Sequence, residues 1–177
     1  MGVELSTGRS GLVLTELDVG AADEYFELVD RNREHLAPWG YEWEQTATRQ
    51  DVRDYFADPP AANLSLGLRL EGTLVGRIDL VAVNPPRHST GYWLDAGHVG
   101  HGLMTAAVTT VVAHARSVGA TELYAGVTYG NRRSTNVLER TGFELIESTV
   151  SHTRWWQALV PGTPAPLMSA DLPHPRE

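Results

Sequence analysis

A chain of 177 residues, 42% hydrophobic and 20% charged, can bury one full core and is too short for two independent ones. Fourteen Lys and Arg against 22 Asp and Glu leave a net charge of −8, which argues against nucleic acid or an anionic membrane as partner, since both need clustered cations. The absence of cysteine excludes disulfides, thiolate nucleophiles and zinc–thiolate sites and suits a reducing, cytoplasmic setting; no export signal or membrane-length apolar run is read at any point.

Leu12, Leu14 and Leu17 predict a first strand, and Tyr25, Leu28, Val29 and Leu36 then fall near helical spacing. Pro38 and Gly40 break that pattern, and a second helix is expected after Thr48, with Asp51 supporting its start and Pro59-Pro60 closing it. Leu64, Leu66, Leu68 and Leu70 alternate, Glu71-Gly72 turns, and Leu74 to Val83 returns as a hairpin partner. Asn84-Pro85-Pro86 turns again into a strand from Thr90 to Asp95. Met104, Val108, Val111, Val112 and Ala115 form the buried stripe of a third helix ending at Gly119. Leu123 to Val127 reads as a strand, Asn131 caps a helix reaching Arg140, a strand starts at Gly142-Phe143, and Thr153 to Leu159 is the last. The resulting order, β α α β β β α β α β β, predicts a mixed, mostly antiparallel sheet flanked by helices, an α/β (α+β) domain over 1–160. A proline-rich, aperiodic tail follows over 161–177.

The segment GYWLDAGHVGHGLMT, from Gly91 to Thr105, carries the clearest chemistry: a strand, a loop punctuated by Gly100 and Gly102, and a helix start. Closely spaced glycines let main-chain N–H groups turn outward, and the helix dipole adds positive potential, an arrangement suited to a phosphate-bearing ligand. Asp95, His98 and His101 stand three residues apart, but a turning loop splays such side chains and no fourth ligand is evident, so no metal is expected.

With NREHLAPW at Asn32 to Trp39, GYWLDAGHVGHGLMTAAV at Gly91 to Val108 and NRRSTNVLERTGF at Asn131 to Phe143, the chain resembles the GNAT superfamily of acyl-CoA-dependent N-acyltransferases. Within it, the likeness is to the RimJ/RimL branch of ribosomal-protein N-terminal acetyltransferases, over Leu12 to Leu159. The resemblance implies a central sheet splayed at the cofactor site, with acetyl-CoA as donor. It implies that Val99, Gly100, His101, Gly102, Leu103, Met104 and Thr105 surround the pyrophosphate, and that Trp93, Leu94 and Asp95 pair their backbone with the pantetheine arm. Asn131 and Ser134 would lie beside the sulfur, with Ser134 hydrogen-bonding the departing thiolate. The chain departs from the family pattern in three places: Val99 stands where Gln or Arg begins the loop, His101 stands for a Lys or Arg, and Leu138 replaces a tyrosine often used as general acid.

Reference acidities indicate how much help the acceptor needs. Freeing a lysine amine at pH 7 costs about 4.6 kcal/mol, whereas a peptide α-amine costs roughly 1 to 1.4 kcal/mol, so an N-terminus needs only a weak base. Direct attack of such an amine on the thioester, with the carbonyl polarised by a strand N–H near Leu94, is the expected mechanism. Asp79 and His88 are candidate bases, although both also suit ordinary polar positions. Trp39, Tyr41 and Trp43 are candidate acceptor-binding aromatics or simply core closure beneath the proline turn. Trp155 and Trp156 point to opposite faces of their strand, toward the core or, for one of them, a groove edge or the contact of a homodimer. The expected function is therefore acetyl-CoA-dependent acetylation of a primary amine, foremost a protein or peptide N-terminus. A small antibiotic or metabolite amine, or an acyl-CoA sensor without turnover, are the rival readings.

Overall fold

The computed structural model describes residues 2–40 and 44–166. Eight strands form one sheet in the order β1-β2-β3-β4-β5-β6-β8-β7: β1 (Glu4–Ser6), β2 (Leu12–Glu16), β3 (Asn63–Leu70), β4 (Thr73–Asn84), β5 (Arg87–Leu94), β6 (Glu122–Thr128), β7 (Glu144–Ser148) and β8 (His152–Ala158). Every neighbouring pair is antiparallel except β5 and β6. Helices α1 (Ala22–Asp30), α2 (Arg33–Leu36) and α3 (Arg49–Ala57) precede β3, α4 (Leu103–Ser117) joins β5 to β6, and α5 (Arg132–Arg140) joins β6 to β7. The mixed, mostly antiparallel sheet flanked by helices agrees with the expected fold.

Alternation along the strands divides the core into two layers. Leu12, Leu14, Leu66, Leu68, Ile78 and Leu80 point to one face, where they pack on the α4 stripe of Met104, Ala107, Val108, Val111 and Ala115. Leu17, Leu74 and Trp93 meet α1 and α3 on the other face, through Tyr25, Leu28, Val29, Val52 and Phe56. Both Trp155 and Trp156 are buried, the first in the α4 layer and the second against Tyr124, with its indole N–H on Glu122 at 2.9 Å. Core packing thus accounts for both rings, and neither lies at an exposed edge.

Local signals act where spacing places them. Thr48 and Asp51 close a reciprocal capping box on α3, and the Asn131 side chain accepts from Ser134 N–H at 3.2 Å to start α5. Three expectations need correction. A short edge strand, β1, precedes the first predicted strand; its three residues are too few to show a period. The fifth strand starts at Arg87 and ends at Leu94, one residue short of Asp95, which instead leads the 3₁₀ turn Ala96–His98. The first predicted helix is two: α1 stops at Asp30, because Asn32 leaves helical geometry (φ −109°, ψ 6°) and turns its side chain elsewhere. Among the described residues, no helix is long and apolar enough to cross a membrane.

Candidate functional site

The single parallel pairing creates the site. Strands β5 and β6 are in register only from Arg87↔Glu122 to Ser89↔Tyr124; beyond that, Thr90–Leu94 and Ala125–Thr128 part company. The closed end of the V is fastened by an Arg87–Glu122 ion pair at 3.1 Å and by Thr121 N–H on the Pro86 carbonyl at 3.0 Å. On its other side β5 remains paired with β4, where Gly76 lets the strands approach: a Cβ there would lie 2.6 Å from the Trp93 carbonyl oxygen.

Main-chain parity decides which groups face the opening. Asp95 N–H donates to Val75 C=O at 2.8 Å, so Asp95 and, two residues back, Trp93 turn their main chain toward β4. Leu94 and Tyr92 therefore turn theirs into the V. Of the three residues expected to pair with a pantetheine arm, only Leu94 presents its backbone; Tyr92 takes the second place, and the Trp93 ring packs edge-on to Tyr25 at 6.1 Å.

A cavity of about 1130 Å³ runs through this opening. On the α4–α5 side it is lined by Val99, Gly100, Gly102, Leu103, Met104, Thr105, Asn131 and Ser134, with Arg133 and Arg140 adding cations. Gly100 and Gly102 sit at φ +83° and +75°, and Gly102 opens α4 without a side-chain cap. The first intrahelical bond there is Ala106 N–H to Gly102 C=O, and among the described residues nothing accepts from the N–H groups of Gly100 to Thr105. Unsatisfied donors, a helix N-terminus and nearby arginines fit a diphosphate. The Tyr92 hydroxyl spans the V to donate to the Ser134 carbonyl at 2.9 Å, and burial pushes its acidity well below that of an ordinary phenol.

The glycine loop is tied to α1 through Asp95. Its carboxylate receives Asn32 Nδ2 at 2.6 Å, Arg31 Nε at 3.1 Å and His98 Nδ1 at 2.7 Å, while Asn32 Oδ1 accepts Ala96 N–H at 2.9 Å. Burial would raise the Asp95 pKa, but the bonds from Asn32, His98 and Arg31 outweigh it and hold it at about 2. Asp95 and His98 thus serve each other, and His101 offers its carbonyl to Arg9 Nη1 at 2.5 Å. His101 itself is outside the cavity lining, unlike its loop neighbours.

On the α1–α3 side the cavity is lined by His35, Trp39, Tyr55, Asn63, Arg77 and Asp79. Asp79 reaches the site, but its carboxylate is engaged by Arg77 Nε at 2.9 Å; that guanidinium is in turn held by Tyr25, Tyr55 and Ser65. His88 stands outside the lining, at the start of β5, with Nδ1 3.2 Å from the Pro86 carbonyl. Trp39 lines the cavity and its carbonyl accepts the Thr128 hydroxyl at 3.1 Å; Tyr41 and Trp43 lie outside the described residues. Leu138 is fully buried, so its position contributes packing. Sequence reasoning missed Asn32 as the anchor of the loop, Gly76 and Arg9; the NREHLAPW motif was the one signal that could have found the first.

The family model described as acetyltransferase (GNAT) domain matches residues 12–144. No curated protein matches the sequence. Among solved structures, the chain is similar to the ribosomal L7/L12 alpha-N-protein acetyltransferase RimL in complex with coenzyme A (18% identity, 88% of this chain and 98% of that one, TM-score 0.78). It is similar also to the microcin C7 self-immunity acetyltransferase MccE with acetyl-CoA and AMP (15%, 85% and 93%, 0.75). A third is AAC(6')-Ib with ribostamycin and coenzyme A (18%, 84% and 94%, 0.71).

Proposed function

Because the chain belongs to the acetyltransferase (GNAT) domain family, we propose that it transfers an acetyl group from acetyl-CoA to the α-amine of a protein or peptide N-terminus. The observation that carries this reading is the parting of β5 and β6 after Ser89 and Tyr124, which joins a donor side and an acceptor side through one opening. The unsatisfied N–H groups from Gly100 to Thr105 hold the diphosphate, and the outward main chain of Tyr92 and Leu94 receives the pantetheine arm. Bound acetyl-CoA supplies an electrophilic thioester carbonyl with a thiol leaving group.

The protein's own part is orientation. The Leu94 N–H points into the V, where it would polarise the carbonyl of the donor's thioester; the Ser134 hydroxyl, on the first turn of α5, would hydrogen-bond the leaving sulfur. The amine arrives from the Arg77–Asp79 side, past Trp39 and Tyr55. Since an α-amine at pH 7 is within roughly 1 to 1.4 kcal/mol of its neutral form, the site needs no strong base, in keeping with an Asp79 already committed to Arg77.

A second reading, a small-molecule amine as acceptor, draws support from the likeness to proteins crystallised with AMP or ribostamycin. Thiol release from acetyl-CoA is to be followed with free-N-terminal peptides, N-terminally blocked lysine peptides and aminoglycosides. The highest kcat/KM is expected with free N-termini; turnover confined to aminoglycosides establishes the second reading. Tight donor binding without amine-dependent thiol release overturns both.

A further inference from the structure

Arg9 sits in the turn between β1 and β2, far from the site in sequence, yet its Nη1 donates to the His101 carbonyl at 2.5 Å. The glycine loop has no cationic side chain of its own at Val99 and only an imidazole at His101. All basic residues of the chain other than histidine are arginines, and the fold brings this one to the loop.

A peptide bond is planar and trans, so its C=O and N–H point in opposite directions. With the His101 C=O held on the side of Arg9, the N–H of the same peptide, that of Gly102, is turned away from Arg9. Gly102 lines the cavity, while His101 and Arg9 do not. Space behind the loop is limited, since a Cβ on Gly102 would stand 3.4 Å from Arg9 Nη1.

We propose that Arg9 is a positioning residue for the donor's diphosphate: it locks the His101–Gly102 peptide with its N–H facing the cradle and places a permanent positive charge behind it. The inference rests on the reading of this loop as the diphosphate site. An arginine suits the task because its guanidinium stays charged and its donors are held in one plane. An exposed charge acting through a loop is weakened by salt, whereas a purely mechanical peg is not.

The test is calorimetric titration of wild type, R9A and R9K with coenzyme A at low and high salt, with the unfolding temperature of each ligand-free protein measured alongside. R9A is expected to bind about tenfold more weakly at low salt, with the gap narrowing at high salt and R9K recovering to within about threefold. Equal affinity of R9A and wild type overturns the inference, as does a loss that is the same at every salt concentration and is not rescued by R9K. Failure of wild type itself to bind coenzyme A is a separate result, and it overturns the underlying reading of the site.

Discussion

Asn32, at the end of α1, donates its Nδ2 to the Asp95 carboxylate at 2.6 Å and so fastens a helix on one face of the sheet to the loop that opens α4 on the other. Asn32 is 1% exposed, and its amide satisfies three groups at once: the Leu28 carbonyl, the Asp95 carboxylate and the Ala96 N–H. The break between α1 and α2 is the local cost of aiming this side chain at the loop.

Replacing Asn32 with Ala leaves the Leu28 carbonyl and the Asp95 carboxylate, both on buried residues, and the Ala96 N–H each short of a partner. Unfolding in urea should show a loss of about 2 to 3 kcal/mol, and coenzyme A affinity should fall with it because the loop loses its anchor. Unchanged stability removes Asn32 from this role.

Asp95 makes stability depend on pH. Its folded pKa of about 2 lies below the ordinary value of 3.8, so the contribution is fully present above pH 4 and is lost as pH falls toward 2. The shift is worth about 2 kcal/mol. Urea midpoints between pH 5 and 2.5 should therefore fall more steeply in wild type than in Asp95→Asn; parallel slopes contradict the assignment.

Gly76→Ala forces a Cβ to within 2.6 Å of the Trp93 carbonyl, a backbone atom that moves only if β5 moves. A destabilisation of about 1 to 3 kcal/mol is expected by chemical denaturation, with weaker coenzyme A binding. Full retention of both shows that β5 does not need this close approach.

Gly100 has open space around its missing Cβ but a φ of +83°. Gly100→Ala should cost about 1 to 2 kcal/mol of stability through backbone strain alone. Gly100→Glu adds a carboxylate beside the anion cradle, so its coenzyme A affinity should fall at least about tenfold below that of the Ala variant. Equal affinities of the two variants place the diphosphate elsewhere.

Ser134→Ala retains the α5 cap, because the capping bond is donated by the Ser134 main-chain N–H to Asn131 Oδ1. Steady-state kinetics should show kcat reduced about tenfold with the KM for acetyl-CoA nearly constant. An unaltered kcat removes the hydroxyl from the chemistry.

What the sequence by itself determined is what neighbours along the chain decide. The α4 stripe from Met104 to Ala115, the Thr48–Asp51 box, the Asn131 cap and the Glu71-Gly72 turn are set by contacts within a few residues, and each stands where its spacing places it. The glycine loop was legible for the same reason, since positive φ angles and a helix start are local properties. Only the tertiary structure decided that β5 and β6 would separate after Ser89 and Tyr124, that Leu94 and Tyr92 rather than Trp93 and Asp95 would face the gap, and that Arg9 and Asn32 would converge on one loop. These depend on strand register and on packing between segments 60 or more residues apart, or on the pairing of a whole ladder, and no period within a single segment records which distant partner it will meet.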